Sequence, residues 1–399
     1  MMPIFLSAVP VLKKMEDAGF EAYFVGGSVR DFVLGKEVAD VDIATSATPQ
    51  EVKQIFPKTV DVGIEHGTVV VIWGKDTYEV TTFRTESEYI DFRRPAEVTF
   101  IRSLEEDLKR RDFTMNSMAM DKEGRLIDPF SGREAIQNKI IETVGSASER
   151  FHEDALRMMR AARFVSQLSF TVERNTYQAL IENAPMLAKI AVERITAEFE
   201  KLLLGENRCP ALKLLIDTGL YQYLPHLREN KAPLTKLLEL ELGSLSLIEM
   251  WTLLLYILGI KQEEAEVFLK QWKLPVKKIK AVKGILSWLR FRLQSAWSLE
   301  SVYEAKLAQA IHAEKLYNTV KGQPAALSIE ALKQLYDTLV IKDRQELKVG
   351  GYDLMEWEKR RGGLWVKEKL DSIEKAVLNG EVQNEKETIR EWLYKCNQN

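Results

Sequence analysis

Two glycines and two aspartates near the N-terminus have the residue types and the spacing to bind a phosphate and a metal ion. Gly26 and Gly27 follow the apolar residues 22–25, which predict a strand, and precede a short predicted helix. Glycines at such a junction let the backbone approach a ligand closely and leave amides free at the helix start, which suits phosphate. Asp40 and Asp42 are two residues apart, so both carboxylates leave the same face of an extended segment. Because hard divalent cations prefer oxygen ligands, this arrangement indicates metal-assisted phosphoryl or nucleotidyl transfer.

Either half of this pattern is common in turns and loops when it occurs alone. In this order and spacing, residues 26–42 resemble the signature of the nucleotidyltransferase superfamily that includes DNA polymerase β. More narrowly, they resemble the bacterial class II tRNA nucleotidyltransferases, the CCA-adding enzymes, and their sister poly(A) polymerases. The resemblance implies that Asp40 and Asp42 bind two Mg²⁺ ions. It also implies that the glycine turn and its helix bind the nucleotide through Gly26, Gly27, Ser28 and Arg30.

Composition limits the class of protein. With 399 residues and 46% hydrophobic content, the chain can form more than one core, and its net charge of -3 means that any RNA surface is a local patch. Two cysteines exclude a disulfide framework and fit a reducing cytosol, and the four histidines lack metal-ligand spacing. The longest apolar run, residues 250–260, is too short to span a bilayer. We therefore expect a cytoplasmic protein without membrane contact.

A third carboxylate could join the aspartates. Residues 69–73 and 78–83 are rich in β-branched and aromatic side chains and are separated by a turn at Gly74, which predicts a hairpin. If the second strand pairs beside the strand of Asp40 and Asp42, Glu79 lies at the metal site and contributes to catalysis. A solvent-facing hairpin glutamate is an equal alternative.

The segment after the hairpin, residues 86–100, is charged and has few strand or helix cues. A loop of this length inside a compact domain is usually mobile and functional. It resembles the flexible loop of CCA-adding enzymes, and the resemblance implies the full activity.

Residues 103–119 are predicted to form a helix, because Ser103 and Glu106 make a capping box. Residues 110–116 within it resemble the ribose-recognition motif of the family. Arg111 could then contact triphosphate oxygens, while Asp112 and Asn116, four apart on one helix face, bind sugar hydroxyls. Without the resemblance, these residues are a solvated helix face with ordinary ion pairs.

A predicted helix from residue 150 through residue 163 carries the candidate base-selecting residues. Asp154, Arg157 and Arg160 recur every three residues, so they are expected to share one helix face, where an Asp and an Arg most often pair with each other. Base chemistry offers a second interpretation. Cytosine and adenine present an amino donor beside a ring-nitrogen acceptor, which a carboxylate that only accepts and a guanidinium that only donates would match. Guanine and uracil present the reverse pattern and would leave a carboxylate facing a carbonyl.

Residues 153–157 also match the Glu-Asp-x-x-Arg motif to which the family assigns base recognition. The resemblance implies that Glu153 orients Arg157, and that Arg160 and Arg163 reach the triphosphate. Residues 193–205 resemble a further family motif in this region, which we interpret as a structural amphipathic helix ended by glycine.

A basic stretch with interleaved tryptophans, residues 271–298, is the best candidate for RNA contact in a chain of net negative charge. Its alternative is one basic helix face over a tryptophan-containing core. The candidate RNA-binding residues are Lys273, Lys277, Lys278, Lys280 and Lys283.

The sequence thus predicts an α+β protein with a polymerase β-like head of mixed sheet and helices, followed by an all-α neck, body and tail. The expected boundaries are 1–150 for the catalytic head, 151–209 for the neck, 210–297 for the body and 298–399 for the tRNA-binding tail. The predicted function is template-independent addition of C, C and A to tRNA from CTP and ATP, with contacts to the acceptor arm and the elbow.

Several alternatives stay open at this point. They are a CC-adding or A-adding specialist, a poly(A) polymerase, and, from another class, a non-catalytic tRNA-binding module. The sequence does not reveal the oligomeric state, for which a homodimer is one alternative.

Overall fold

A computed structural model describes the backbone of residues 2–86, 89–90, 94–95 and 98–396, and the side chains of residues 2–85 and 99–395. The chain forms two compact units. The first consists of Met1–Leu238 with Gln271–Lys273, and the second of Glu239–Lys270 with Leu274–Asn399. The finer division into four domains stays a prediction.

Thirteen short strands occur in the described part of the first unit. They are β1 (Ala22–Val25), β2 (Asp42–Thr45), β3 (Thr59–Gly63), β4 (Thr68–Trp73), β5 (Asp76–Thr82), β6 (Arg84–Glu86), β7 (Tyr89–Ile90), β8 (Arg94–Pro95), β9 (Val98–Phe100), β10 (Ala119–Met120), β11 (Leu126–Ile127), β12 (Ile140–Ile141) and β13 (Thr171–Val172). Seven of them form one mixed sheet in the order β11-β10-β1-β2-β5-β4-β3.

Eleven helices occur in the described part of the first unit. They are α1 (Pro3–Asp17), α2 (Gly27–Val33), α3 (Pro49–Ile55), α4 (Leu104–Lys109), α5 (Gly132–Gln137), α6 (Ala147–Glu153), α7 (Leu156–Leu168), α8 (Arg174–Asn183), α9 (Val192–Leu204), α10 (Arg208–Asp217) and α11 (Lys231–Leu237). The described part of this unit also contains four 3-10 turns, at Ile64–His66, Thr114–Asn116, Ala184–Lys189 and Leu220–Tyr223.

The second unit is helical throughout its described residues. It contains α12 (Leu247–Ile257), α13 (Ala265–Gln271), α14 (Val276–Gln294), α15 (Leu299–Lys321), α16 (Ala326–Asp337), α17 (Gly351–Glu358), α18 (Leu364–Leu378) and α19 (Lys386–Cys396), with a 3-10 turn at Arg344–Glu346. Leu354, Ile373 and Val377 are fully buried in its core. The predicted mixed head and all-helical remainder are therefore confirmed. No helix in the described ranges is long and apolar enough to cross a membrane.

The pairing of β2 decides where the first carboxylates lie. β2 is antiparallel to β1, with Val25 opposite Asp42, and parallel to β5, with Asp42 opposite Glu79. One face of the sheet carries Val25 and Ala44, which pack with Leu108 of α4 in a buried cluster. The start of β2 therefore faces the segment that follows α4. The predicted hairpin is confirmed, since β4 and β5 pair antiparallel on either side of Gly74.

The prediction of one helix over residues 103–119 is wrong. Helix α4 ends at Lys109, and the chain then passes through the 3-10 turn at Thr114–Asn116 into β10. Two long-range contacts of the backbone compete with helix continuation. Phe113 forms a β-bridge with Thr143, and β10 pairs with β1. The carboxylate of Asp112 also accepts a hydrogen bond from the backbone amide of Phe113 at 2.8 Å, which is a turn-type contact.

The prediction of one continuous helix through residues 150–163 is also wrong. Asp154 has φ −140° and ψ 101°, so the chain is extended between α6 and α7. Its carboxylate accepts from the backbone amide of Leu156 at 3.0 Å, a local contact that stabilises the break. Asp154, Arg157 and Arg160 therefore do not share one helix face.

In the predicted loop at residues 86–100, the backbone of 87–88, 91–93 and 96–97 and the side chains of 86–98 lie outside the described residues. Among the described backbone, β6 pairs antiparallel with β9, and β7 with β8, which the sequence does not predict. The mobility of this segment and its functional role stay predictions.

Candidate active site

Gly26 connects β1 to α2 and lies beside Arg111, which follows α4. It has φ 71° and ψ −134°, a backbone conformation that is open almost only to glycine. A Cβ atom at this position would lie 3.1 Å from Nη1 of Arg111 and 3.7 Å from Oδ2 of Asp42. The absence of a side chain at Gly26 therefore leaves space beside the turn for the guanidinium of Arg111 and the carboxylate of Asp42.

Three carboxylates lie near one another at the start of β2. Asp42 is the first residue of the strand, Asp40 precedes the strand and is exposed, and Glu79 stands in register beside Asp42. Burial raises the pKa of Asp42, and the negative charges of Asp40 and Glu79 raise it further, while Arg111 opposes the shift. The expectation that both aspartates lie on a strand is wrong for Asp40, but its charge still acts on Asp42.

The donor set suits a hard divalent cation. The carboxylates of Asp40 and Asp42 supply oxygen ligands only, and their mutual repulsion is relieved by bound positive charge. In the described part of the chain, no group of three or more Asp, Glu, His or Cys residues converges on one metal position. Two carboxylates are enough for Mg²⁺, which keeps several waters and takes further oxygens from substrate phosphates. The residues present therefore fit a metal shared between protein and nucleotide.

The glycine turn and its helix present one guanidinium and a buried hydroxyl. Arg30 of α2 donates from Nη1 to Oδ1 of Asn116 at 2.8 Å and pairs through Nε and Nη2 with the carboxylate of Asp31. Ser28 is buried, and its hydroxyl donates to the carbonyl of Val25 at 2.9 Å. The Ser28 side chain thus closes the turn, which leaves backbone amides as the groups that this stretch offers to a ligand.

A chain of contacts leads from Asn116 to helix α7. Asn116 donates from Nδ2 to Oδ1 of Asp112 at 3.0 Å, as the predicted spacing suggests although the helix is absent. Arg160 of α7 donates from Nε to Oδ2 of Asp112 at 2.6 Å. Burial raises the pKa of Asp112, but Arg160, Asn116 and Arg157 outweigh it and lower the pKa to about 2. Asp112 is therefore ionised at neutral pH, and its bonds to Asn116 and Arg160 link the 3-10 turn at Thr114–Asn116 to α7.

Phe164 is surrounded by three guanidinium groups. Those of Arg30, Arg160 and Arg163 lie 5.2, 5.7 and 4.3 Å from the ring centroid. Burial lowers the pKa of Arg163 to about 10, and the neighbouring charge of Arg160 contributes to the shift. Three guanidinium groups around one aromatic ring give this region the positive charge to bind a polyanion.

Asp154 and Arg157 are held by separate partners and do not pair with each other. Asp154 accepts from Arg194 of α9, at 2.7 Å to Oδ2 and 3.3 Å to Oδ1. Arg157 pairs with Glu153, donates from Nη1 to the carbonyl of Arg150 at 3.1 Å, and donates from Nη2 to the carbonyl of Arg110 at 2.9 Å. The acceptor and the donor are thus each fixed, and neither is neutralised by the other.

Three residues of this site were not found from the sequence. Arg194 and Glu198 lie four apart on α9, and they pair with Asp154 and Arg163. Asp107 of α4 is buried and binds Arg110 and Arg111. The interpretation of residues 193–205 as structural overlooked that an Arg and a Glu one turn apart on an amphipathic helix can both face the core of a site.

The basic stretch is only partly available for a ligand. Lys283 pairs with Glu266 at 2.7 Å, Arg290 donates to Oε1 of Gln262 at 3.2 Å, and Arg292 pairs with the buried Glu314 at 2.6 Å. Lys273, Lys277 and Lys280 are exposed, and Lys278 is half-buried. Lys273 belongs to the first unit and the other four lysines to the second.

Comparison with known proteins matches nearly the whole chain. The model of the poly A polymerase head domain matches residues 22–142, that of the "Probable RNA and SrmB- binding site of polymerase A" residues 169–230, and that of the tRNA nucleotidyltransferase domain 2 residues 246–393. The CCA-adding enzyme of Geobacillus sp. (strain WCH70) is 52% identical over 391 residues, which are 98% of this chain and 96% of that relative. The chain belongs to the family of CCA-adding enzymes.

Solved structures of CCA-adding enzymes and related proteins agree in fold. The CCA-adding enzyme of Bacillus stearothermophilus in complex with CTP is 48% identical, with a TM-score of 0.92, and the match covers 100% of this chain and 98% of that one. A tRNA nucleotidyltransferase complexed with a primer tRNA and an incoming ATP analogue is 26% identical, with a TM-score of 0.61, over 82% of this chain and 99% of that one. The predicted class of enzyme, a metal-dependent tRNA nucleotidyltransferase, is confirmed.

Proposed function

We propose that the chain adds C, C and A to the 3′ end of tRNA from CTP and ATP, with protein side chains in place of a nucleic-acid template. The observation that carries this proposal is that Asp154 and Arg157 are each held by separate partners, next to a network of contacts that begins on α7. The network runs through Arg160, Asp112, Asn116 and Arg30 to the glycine turn. Relatives of the chain that bind CTP, an ATP analogue or tRNA support the substrates.

Base selection follows from the groups that Asp154 and Arg157 leave unused. Two of the five N–H groups of Arg157 remain after its bonds to Glu153 and to the carbonyls of Arg150 and Arg110. Asp154 can accept further bonds at Oδ2, which takes one bond from Arg194. The pair therefore accepts from the amino group and donates to the ring nitrogen of cytosine and adenine alike.

Uracil and guanine would meet this pair with the opposite pattern. A carbonyl would face the carboxylate of Asp154, and a ring N–H would face the guanidinium of Arg157. Each polar group left without a partner costs about 1–3 kcal/mol, so two such groups discriminate by about 30-fold to about 10⁴-fold. Arg194 contributes by preventing Asp154 from turning toward solvent.

The triphosphate is assigned to the cations around Phe164 and the glycine turn. Arg30, Arg160 and Arg163 present their charge around one ring, and Arg111 extends the row toward Asp42. The backbone of Gly26 and Gly27 lets phosphate oxygens approach closely. The α-phosphate is thereby brought next to the acidic residues.

Mg²⁺ is the proposed metal, held by Asp40 and Asp42, and when bound it stabilises the negative charge of the reacting phosphate and favours the ionised 3′-hydroxyl of tRNA. Glu79 adds negative charge in register with Asp42, which increases the demand for a cation at this position. Asp42, half-buried and of raised pKa, gains more from a bound cation than an exposed carboxylate would.

The tRNA surface is proposed on the second unit, in keeping with the predicted body and tail. On α14, Lys277 and Lys280 are exposed one turn apart and are suited to contact phosphates. In the tail, Tyr352 and Leu364 each expose 82% of their surface, and the loop between α17 and α18 carries Arg361. Exposed aromatic and cationic side chains together favour contact with the elbow of tRNA. A cytoplasmic location fits these substrates. A homodimer is one alternative for the oligomeric state, which is measured in the experiment below.

The decisive experiment is extension of a tRNA that lacks CCA, with CTP alone, ATP alone and both together. We expect two C residues with CTP alone, and C, C and A with both. Addition of C residues only, addition of A only to a primer ending in CC, or a long A tract would assign the chain to one of the specialists instead. Light scattering of the same samples with and without tRNA measures the oligomeric state.

A further inference from the structure

The carboxylate of Asp107, on α4, is buried and binds the side chains of two arginines of the site. Its side chain is 1% exposed, whereas its neighbours Glu105 and Glu106 are exposed. Glu106 contacts Lys109 at 3.8 Å, which is an ordinary surface pair. A buried carboxylate requires compensation by several donors, and the donors of Asp107 show its role.

Both oxygens of Asp107 bind groups that lead into the site. Oδ1 accepts from Nε and Nη2 of Arg110, at 3.0 and 2.7 Å, and from the backbone amide of Arg84 at 3.3 Å. Oδ2 accepts from Nη2 of Arg111 at 3.1 Å. The carbonyl of Arg110 in turn accepts from Arg157, so Asp107 is two contacts away from the base-selecting guanidinium.

Arg111 is placed between two carboxylates and pairs with only one of them. Its Nη2 binds Asp107, while its Nη1 lies close to the position that a Cβ of Gly26 would occupy, as Oδ2 of Asp42 also does. Among the described residues no direct ion pair joins Arg111 to Asp42, although the two charges influence each other. Without Asp107, Asp42 would be a carboxylate available to Arg111, since the two charges already interact.

We propose that Asp107 is a positioning residue that holds Arg111 beside Gly26 and away from Asp42. The guanidinium then stays available to the nucleotide, and the carboxylate stays available to the metal ion. This inference rests on the proposed role of Asp42 as a metal ligand. It assigns a function to a residue that contacts neither substrate nor metal.

The test measures metal binding directly, with the full-length chain, CTP and no tRNA, so that no transfer occurs. Free Mn²⁺ is followed by electron paramagnetic resonance during titration. For Asp107→Asn, which is similar in size but uncharged, we expect the Mn²⁺ concentration at half-saturation to rise about tenfold, as for the loss of one charge-assisted contact. Glu106→Gln on the same helix is the matched control and should bind Mn²⁺ as the wild type does.

A second pair of variants separates positioning from general structural support. If Asp107 acts through Arg111, then Asp107→Asn should weaken Mn²⁺ binding no further in a background of Arg111→Ala. Equal loss in both backgrounds would overturn the proposal. Should Asp107→Asn fail to fold, Asp107→Glu retains the charge and is expected to bind Mn²⁺ within about twofold of wild type; weakening equal to that of an Asp42→Ala variant would contradict the positioning role.

The outcomes distinguish this inference from the proposed function. A wild-type chain that neither binds Mn²⁺ with CTP nor extends tRNA would refute the function. A wild-type chain that does both, with Asp107→Asn equal to Glu106→Gln, would refute the role of Asp107 alone.

Discussion

Substitution of Gly26 by alanine tests the glycine turn beside which the nucleotide, the metal ion and the guanidinium of Arg111 are expected to lie. The backbone there has φ 71° and ψ −134°, and a non-glycine residue in such a region costs about 1–3 kcal/mol. The added methyl group would also lie 3.1 Å from Nη1 of Arg111, so the guanidinium must move by a few tenths of an ångström. The variant is therefore expected to lose stability and, separately, the alignment of Arg111.

The loss of alignment can be estimated from the bond that it affects. A hydrogen bond to a charged group contributes about 1.5–3 kcal/mol, which corresponds to a fall of about 10- to 150-fold in kcat/KM for CTP. The assay is steady-state addition of C to tRNA lacking CCA, at several CTP concentrations, with urea unfolding measured in parallel.

Gly74→Ala is the control for backbone strain. Gly74 has φ 65° in the turn between β4 and β5, and an added Cβ there would meet nothing within 4 Å. We expect a loss of about 1 kcal/mol in the free energy of unfolding and kcat/KM within about twofold of wild type. If Gly26→Ala retained the same kcat/KM as Gly74→Ala, the placement of Arg111 beside the glycine turn would have no part in nucleotide binding.

Three further predictions concern the contacts around α7 and α9. Arg194→Met removes both hydrogen bonds to Asp154, so kcat/KM for CTP should fall about tenfold and the preference for CTP over UTP should narrow. The pKa of Asp112 is lowered from 3.8 to about 2. Its ionised carboxylate therefore stabilises the fold by about 2 kcal/mol above pH ~4, and this stabilisation is lost as the pH falls from ~4 to ~2. Urea unfolding of wild type and Asp112→Asn at pH 7, 4 and 3 should show the difference shrinking toward acid. Gly205→Ala would place a Cβ 2.7 Å from the backbone carbonyl of Ser166, and the free energy of unfolding should fall by about 3 kcal/mol.

Each of these has an outcome that would contradict it. Glu193→Gln, which alters an exposed neighbour of Arg194, is the control for the first, and equal kinetics for the two variants would refute the role of Arg194. A difference between wild type and Asp112→Asn that does not change with pH would mean that the charge of Asp112 is not what stabilises the fold. Unchanged urea unfolding of Gly205→Ala would mean that α9 does not pack closely against α7.

The sequence predicts the parts of this site that depend on local order along the chain. The glycine turn, the carboxylate of Asp42 and the hairpin that bears Glu79 all follow from short patterns, and the parallel pairing that the sequence left open places Glu79 in register with Asp42. A strand followed by glycines and a helix start has few alternative structures.

The predictions that fail are those decided by distant contacts. Residues 110–119 lose their helix because Phe113 forms a β-bridge with Thr143 and Ala119 pairs with Val25 of β1. Asp154 leaves its helix because its carboxylate binds Leu156 and Arg194, and Arg194 lies 40 residues away. No i, i+3 spacing reveals such a partner, so helical periodicity paired Asp154 with the wrong arginine.

The central claim is that Asp154 and Arg157 read the base in place of a template. The most direct measurement is the ratio of kcat/KM for CTP to that for UTP, in wild type and in Asp154→Ala, with Mn²⁺ binding in the presence of CTP measured on the same samples. We expect the ratio to fall by at least about tenfold, since the carboxylate that rejects a carbonyl is gone, while Mn²⁺ binding is unchanged. An unchanged ratio in a variant that still binds Mn²⁺ would show that this pair does not choose the nucleotide.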